Sequence, residues 1–237
     1  MGREVLLTAS VGSTNYNLVD ELSDYDYKQF VCPTFEDLYN KKMYSDAYTS
    51  AECDYTVHDI RKLPELLYKA NINFIEVLFA KTLEYDKSLD WLFENKQELA
   101  TVNLPYLYDA CIGTYYEKMK GIHKGTKTTK ALVDKFGYDT KAAMCAYRLL
   151  DFITRMSCNN FDFAKSVKYE ADEPIRDFLM GMKRGRYTEE VFNEMLNDKK
   201  EWALTLKTEY KEKKLNDKLL HEMNEFILNV VKNRVTK

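Results

Sequence analysis

The chain has 237 residues, of which 45% are hydrophobic and 14% aromatic, enough for one large domain or two smaller ones. Its 35 basic and 38 acidic residues give a net charge of −3, so contact with nucleic acid requires a local basic patch rather than a basic protein. Five scattered cysteines, no signal segment and no long apolar run exclude a disulfide scaffold, a zinc cluster and a membrane span, and predict a cytoplasmic protein.

The first third of the chain alternates short predicted strands with short predicted helices. VLLTASV (5–11) is a predicted strand because it is short, apolar and contains valines. Further candidate strands and helices follow in chain order. The strands are YDYKQFV (25–31), AYTS (47–50), CDYTVHD (53–59) and NFIEVLFA (73–80), and the helices are PTFEDLYNKK (33–42) and IRKLPELLYKAN (60–71).

The pattern changes after Ser88, where long segments carry apolar residues at spacings of three and four. This spacing predicts amphipathic helices through to the end of the chain. The change predicts an α+β protein, with a small mixed-sheet domain over residues 1–95 and an all-helical domain over residues 96–237.

A glycine-serine turn and three aspartates carry the strongest chemical signal. Gly12 and Ser13 follow the first strand, and a turn of this kind that leads into a helix suits phosphate groups. Asp24 and Asp26 are two residues apart, so in a strand they project from one face. Asp54 opens a strand that we expect in the same sheet. Three such carboxylates can hold two Mg²⁺ ions for an in-line phosphoryl displacement, and the alternative is a solvated acidic edge strand or turn.

Three cations are spaced by seven residues in the second half of the chain: Lys141, Arg148 and Arg155. This spacing places them along one face of a helix, where they can bind the oxygens of a triphosphate or the phosphates of an acceptor. The alternative is an ordinary solvated face, with Arg148 paired to Asp151 at i+3.

Two other features leave alternatives open. The segment KMKGIHKGTKTTK (118–130) holds five lysines and no acid, and is either a loop that receives RNA or a nucleotide, or a solvated loop. Glu76 lies in the apolar run FIEVLF, where a carboxylate needs a partner. It either supports the catalytic carboxylates or pairs with an arginine such as Arg61.

The string VGSTNYNLVDELSDYDYKQFVCPTFEDLY (11–39) resembles the signature of nucleotidyltransferases of the DNA polymerase beta superfamily. Within that superfamily it is similar to the predicted nucleotidyltransferases called the RNA-repair-pathway DNA polymerase beta family, which have bacterial and phage members. NINFIEVLFA (71–80), FGYDTKAAMCAYRLLDF (136–152) and IRDFLMGMKRGRYTEEVF (175–192) extend the resemblance over residues 8–195.

The resemblance implies roles for five of these residues. Asp24 and Asp26 are the implied metal ligands, and Asp54 is the implied third carboxylate and general base. Gly12 and Ser13 are implied to hold the nucleoside triphosphate, Ser13 through its hydroxyl.

The resemblance also strengthens the assignment of Lys141 and Arg148 to the triphosphate. Three positions depart from the family pattern, with Asn17 in place of glycine, Ile72 in place of proline and Cys145 in place of histidine. Any role of that histidine in substrate handling is not carried over.

The predicted activity is transfer of a nucleoside monophosphate from a nucleoside triphosphate to an acceptor hydroxyl, with two Mg²⁺ ions, or Mn²⁺ in their place. ATP is the default donor, and an RNA end is favoured as acceptor over a protein side chain or a small molecule. Two alternatives remain. One is a non-catalytic protein that binds a nucleotide or a nucleic acid end on the same fold, and the other is an interaction or inhibitory protein that acts through its helical half.

Overall fold

The computed structural model describes residues 2–21, 23–49 and 53–236, which form an α+β fold. The chain divides into two compact units, one with residues up to Asn103 and from Leu215 onward, the other from Leu104 to Lys214. The predicted domains, 1–95 and 96–237, instead put every residue after 95 with the helices. The last helix belongs with the sheet because Arg234, near its end, forms ion pairs with Glu4 and Asp86.

The described part of the first unit contains a mixed five-stranded sheet. Its strands are β1 (Val5–Val11), β2 (Tyr25–Val31), β3 (Ser45–Thr49), β4 (Cys53–Asp59) and β5 (Leu83–Tyr85). They are ordered β3-β4-β2-β1-β5. β2 and β4 are parallel, and the other neighbouring pairs are antiparallel.

Most of the sheet follows the predicted segments. β1, β2 and β4 have the predicted limits, because each is a short run bounded by turn residues. β3 covers the described part of the strand predicted over 47–50, and Ser50 lies outside the described residues. β5 was not predicted, since its three residues are too short a run to show a period.

The helices of the first unit are short except for the last. They are α1 (Ser13–Tyr16), α2 (Phe35–Tyr39), α3 (Leu63–Tyr68), α4 (Ile72–Ile75), α5 (Asp90–Glu94), α6 (Lys96–Ala100) and α14 (Asp217–Val235). The helices of the second unit include three long ones. They are α7 (Leu104–Lys120), α8 (Lys130–Phe136), α9 (Thr140–Cys158), α10 (Phe163–Val167), α11 (Pro174–Lys183), α12 (Glu189–Thr205) and α13 (Lys207–Lys211).

The crossover between the parallel strands β2 and β4 passes through α2 and β3. α2 begins with a reciprocal cap, in which Thr34 accepts from the backbone N–H of Asp37 and Asp37 accepts from that of Thr34. The Asp37 carboxylate also receives two hydrogen bonds of 2.7 Å from Arg3. These bonds hold the pKa of Asp37 well below its usual range and tie the start of the chain to the crossover.

The strand predicted over 73–80 is wrong. α4 occupies the first part of this segment, and a 3₁₀ turn, Glu76–Phe79, occupies the rest. Asn71 starts the helix by accepting a hydrogen bond of 3.0 Å from the backbone N–H of Asn73. A short apolar run is equally consistent with a buried strand and a buried helical segment, so the cap decides the conformation.

α9 is the central helix of the second unit and packs against α7, α11 and α12. Most of its residues are buried, which explains why its apolar residues do not form a single narrow stripe. In the part of the chain that the structure describes, no helix combines the length and the apolar composition needed to cross a membrane.

Candidate active site

Two of the predicted catalytic carboxylates lie side by side on neighbouring parallel strands. Asp26 in β2 is the register partner of Asp54 in β4, and Val11 at the end of β1 is the partner of Asp26 on the other side. Neighbouring strands lie about 4.8 Å apart, and residues in register point to the same face of the sheet. Both carboxylates are half-buried. The sheet therefore presents Asp26 and Asp54 together.

Asp24 is the least constrained of the three aspartates. It lies one residue before β2, and its side chain is exposed. Over residues 2–21, 23–49 and 53–236, no group of three or more His, Cys, Asp or Glu side chains is arranged to hold a metal ion. Carboxylate oxygens are the ligands that Mg²⁺ prefers, so Asp26 and Asp54 fit a magnesium site by chemistry and register. Asp24 is not gathered with them into a three-carboxylate cluster.

The turn after β1 lies directly against Asp26. Gly12 has φ 69° and ψ −138°, a conformation that residues with a Cβ rarely adopt. A Cβ atom at this position would lie 3.3 Å from Oδ2 of Asp26. Glycine is required here for two reasons, because the backbone is left-handed and because the turn approaches a carboxylate closely.

The departure at Asn17 has a structural explanation. Asn17 ends α1 with φ 60° and ψ 36°, the left-handed conformation in which the family pattern has glycine. Asparagine is one of the few residues other than glycine that adopts this conformation readily. The substitution therefore leaves the geometry of the turn intact.

Glu76 holds the turn in place from within the core. Its side chain is 1% exposed. Oε2 accepts from the backbone N–H of Gly12 (3.0 Å) and from Nδ2 of Asn15 (3.0 Å), and Oε1 accepts from the hydroxyl of Tyr16 (2.7 Å). The suggested pair with Arg61 is wrong, because Arg61 binds Asp59 through two of its nitrogens.

The hydrogen bond to Glu76 changes how the turn can bind an anion. The N–H of Gly12 is already donated to the Glu76 carboxylate, so contact of the turn with a phosphate would come from its other groups. The half-buried side chain of Ser13 remains, with the hydroxyl that the family resemblance assigns to the triphosphate. Gly12 shapes the backbone of the turn, and its assignment to the triphosphate stays a prediction.

Asn15 connects the turn to the segment after the 3₁₀ turn. Nδ2 of Asn15 donates to the carbonyl of Ser10 (2.7 Å), and Oδ1 accepts from the Ser10 hydroxyl (3.0 Å) and from the backbone N–H of Lys81 (3.0 Å). The backbone N–H of Thr82 donates to the Ser10 hydroxyl at 3.0 Å. Asn15 was not among the predicted site residues, although a polar amide beside the Gly12 turn was a signal that could have identified it.

A lysine shares the face of the sheet that carries Asp26. Lys28 is two residues further along β2, so strand alternation places it on the same side. Its Nζ lies 3.5 Å from Oγ1 of Thr56 and 4.8 Å from the centre of the Phe74 ring. Burial lowers the pKa of Lys28, and the negative charges of Glu76 and Asp26 partly oppose that shift. Lys28 was not among the predicted site residues, although the alternation in DYDYK could have identified it.

His58 lies deeper on the same face. Its Nε2 is buried and has no hydrogen-bond partner among the described residues, and its ring contacts Phe74 with centres 5.1 Å apart. Burial lowers the pKa of His58 to about 4, and the positive charges of Lys28 and Lys62 contribute to the shift. A neutral imidazole beside Lys28 adds no second positive charge beneath the carboxylates.

The cations predicted along α9 have unequal surroundings. Lys141 is exposed in the first turn, whereas the Arg148 side chain is only 6% exposed. Arg155 donates to Glu173 at 2.6 Å and to nearby backbone carbonyls. The alternative of an ordinary solvated face is therefore wrong, and so is a continuous exposed stripe, because α9 is buried on most sides. Asp151 accepts from Lys199 at 2.8 Å.

Comparison with known proteins agrees with the geometry of the sheet. The family model described as the RNA repair pathway DNA polymerase beta family matches residues 2–151, which is more than half of the chain. The match covers the Gly12 turn, the three aspartates, Glu76 and the first part of α9. No curated protein matches the chain significantly. The chain belongs to the RNA repair pathway DNA polymerase beta family.

Proposed function

We propose that the protein is a Mg²⁺-dependent nucleotidyltransferase, which moves a nucleoside monophosphate from a nucleoside triphosphate to an acceptor hydroxyl. The observation that carries this proposal is the register pair Asp26–Asp54, with the Gly12 turn against Asp26. The family points to a nucleotidyltransferase of the polymerase beta type. Asp26 and Asp54 are carboxylates held on a rigid sheet, which is the support that a precise reaction geometry requires.

The proposed reaction has a simple balance of bonds. The oxygen of the acceptor hydroxyl forms a bond to the α-phosphorus, and the bond from that phosphorus to the bridging oxygen of pyrophosphate breaks. Asp54 receives the hydroxyl proton, and pyrophosphate leaves. Asp26 and Asp54 are the residues that would hold two Mg²⁺ ions, or Mn²⁺ in their place, and Asp24 is proposed as a further ligand on the basis of the family resemblance. Bound metal would stabilise charge on the phosphoryl oxygens and orient the attacking and leaving oxygens.

The Gly12 turn positions the triphosphate in this proposal. Ser13 offers its hydroxyl, while the buried Glu76 fixes the backbone from which Ser13 projects. A fixed donor requires no reorganisation when charge develops on the phosphate, and this preorganisation is a large part of electrostatic catalysis. Lys141 and Arg148 are proposed as further triphosphate ligands on the basis of the family resemblance. Lys141 is exposed, whereas Arg148 is buried, so its proposed role rests on the resemblance alone.

ATP is the proposed default donor, and an RNA end is the favoured acceptor. A protein side chain or a small molecule remains as the alternative acceptor. The name of the family supports RNA. Incubation with each α-labelled nucleoside triphosphate and a cell extract would identify both substrates, because the label would appear in RNA, in protein or in a small molecule.

Calorimetric titration with MgATP tests the proposal directly. The Asp24→Ala/Asp26→Ala variant is expected to lose metal-dependent binding of ATP. Asp46→Asn is the matched control, since Asp46 is exposed on β3 and its register partner is Val57, on the opposite face from Asp54. Survival of binding and transfer in the double variant would show that the carboxylates are misassigned. Binding of MgATP by the unmodified protein without any transfer would favour the non-catalytic alternative.

A further inference from the structure

The lysine-rich loop of the second unit is a fixed structure rather than a loose connection. It spans residues 121–129, between α7 and α8. Asp139, which caps α9, donates from its backbone N–H to the carbonyl of Ile122 at 2.8 Å. Its carboxylate accepts from the hydroxyl of Thr129 at 2.5 Å. Both ends of the loop are therefore anchored to the start of α9.

A second basic segment is anchored at the same place. The turn over 184–188 connects α11 and α12 and contains Arg184 and Arg186. Thr140, the first residue of α9, donates its hydroxyl to the carbonyl of Lys183 at 2.9 Å. The hydroxyl of Tyr138 donates to the carbonyl of Tyr187 at 2.9 Å. The loop and the turn are about sixty residues apart in sequence, yet both are fixed to residues 138–140.

Gly185 makes the close approach of the turn possible. It has φ 71°, and a Cβ atom there would overlap the ring of Phe136 at the end of α8. α8 follows the lysine-rich loop directly, so this contact brings the turn against the same part of the unit. Glycine is therefore needed at position 185 both for the left-handed backbone and for the close packing.

The loop and the turn together carry a concentration of positive charge. We define the basic face as the exposed residues Lys120, Lys124, Lys127, Arg184 and Arg186. Residues 118–141 contain seven lysines and two aspartates, in a chain whose net charge is −3.

Three acids near the basic face have partners outside it. Asp134 pairs with Lys130 at 2.8 Å, and Glu189 lies 3.3 Å from His123. Asp139 is buried as the cap of α9. Lysines outnumber acids by seven to two over residues 118–141, and this excess gives a local positive potential that attracts a polyanion.

We propose that the basic face binds the phosphate backbone of a single nucleic acid strand. Lysine and arginine supply most contacts to phosphate oxygens, and these contacts do not depend on sequence. The inference deepens the proposed function, since it gives the nucleic acid acceptor a binding surface of its own. Binding can be measured without nucleotide or metal, so failure of this inference is distinguishable from failure of nucleotidyl transfer.

The number of cations sets the expected dependence on salt. For single strands the slope of log K against log salt is about −0.7 for each phosphate neutralised, so five contacts give about −3.5. Lys124→Glu/Lys127→Glu removes two contacts and should reduce the slope to about −2. Arg184→Gln/Arg186→Gln should have a similar effect from the turn. Each double variant should bind at least about tenfold more weakly near 100 mM salt.

The control is a double charge reversal elsewhere in the second unit. Lys207→Glu/Lys214→Glu changes the net charge by the same amount as Lys124→Glu/Lys127→Glu. Both control lysines are exposed, and neighbouring Lys211 donates to the carbonyl of Pro105 in the first turn of α7. The lysine-rich loop follows the other end of α7, which is about 20 Å away at 1.5 Å per residue.

The experiment measures fluorescence anisotropy of short labelled RNA and DNA strands of mixed sequence, between about 50 and 200 mM salt. Circular dichroism confirms that each variant is folded. The expected result is weaker binding and a shallower slope for both basic-face variants, with the control unchanged, and the RNA and DNA arms tell which strand is preferred. Equal weakening in the control would overturn the proposal. Unchanged binding in the basic-face variants would also overturn it. In a parallel assay with phosphatidylserine vesicles, binding to the vesicles without binding to either strand would do the same.

Discussion

Replacing Glu76 by glutamine tests whether this buried carboxylate holds the Gly12 turn. The three donors on Glu76 are the backbone N–H of Gly12, the amide of Asn15 and the hydroxyl of Tyr16. Glutamine keeps the shape of the side chain and removes its charge. Its oxygen can stay on Gly12 and Asn15, because both bond to Oε2, while its NH₂ group turns to the Tyr16 hydroxyl, which can accept.

The size of the effect follows from this geometry. Hydrogen bonds to a charged acceptor contribute about 1.5–3 kcal/mol each, and those between neutral groups contribute about 0.5–1.5 kcal/mol. Three bonds therefore weaken by about 1 kcal/mol each, for a total loss of about 3 kcal/mol in the free energy of unfolding. Lys28 also loses one of the two anions that favour its charged form, which adds to the loss.

Urea denaturation at about pH 7, combined with hydrogen exchange of the Gly12 amide, measures the effect. The exchange measurement is needed because two units need not unfold in a single transition. Glu65→Gln is the matched control, since Glu65 is exposed and water screens its ion pair with Lys69, so the variant should lose little stability. A Glu76→Gln variant no less stable than this control, with Gly12 still protected, would refute the role of Glu76.

Three further perturbations test the turn and the docking of the last helix. Gly12→Ala should lower the free energy of unfolding by about 1–3 kcal/mol, because alanine is strained in the left-handed backbone and crowds Asp26. Gly113→Ala in α7 is the control, since a Cβ there meets nothing within 4 Å, and it should raise the free energy of unfolding by about 1 kcal/mol in denaturant melts. Asn17→Gly should be more stable than Asn17→Ala by about 1 kcal/mol, because of the two only glycine adopts the left-handed backbone without strain, so equal melting temperatures for the two would contradict the left-handed assignment. The pKa of Asp86 is lowered to about 2 by Ser88 first and Arg234 second, so its stabilisation is present above the unfolded pKa of about 3.9 and lost as pH falls towards 2. Asp86→Asn should therefore make the urea midpoint depend less on pH over that acid range. An unchanged dependence of the midpoint on pH would argue against the contact between Asp86 and Arg234.

The sheet could be predicted well because its evidence is local. β1, β2 and β4 are bounded by turn residues and have a simple alternation, and alternation alone puts Lys28 on the face of Asp26. The sequence predicted that Asp54 lies in the same sheet, but it did not predict that Asp26 and Asp54 are register partners. The strand predicted over 73–80 was wrong for the opposite reason, since an apolar run of that length has no period that distinguishes a strand from a helix.

The surroundings of Glu76, Arg148 and α14 could not be predicted from local pattern. Glu76 bonds to a backbone N–H that is 64 residues away, and nothing near Glu76 in the sequence identifies that partner. Arg148 lies at a helical spacing typical of an exposed stripe, but α9 is surrounded by other helices of its unit. α14 resembles the helices of the second unit in composition and joins the first unit through ion pairs of Arg234 with the strand region.

The most direct test of the proposed function compares ATP labelled at the α-phosphate with ATP labelled at the γ-phosphate, each incubated with the protein, Mg²⁺ and an RNA acceptor. Nucleotidyl transfer predicts that the α-label enters the acceptor, that the γ-label is released in pyrophosphate, and that Asp26→Asn or Asp54→Asn abolishes both while Asp46→Asn does not. Entry of the γ-label into the acceptor, or undiminished transfer by Asp26→Asn and Asp54→Asn, would contradict the proposed chemistry of this site.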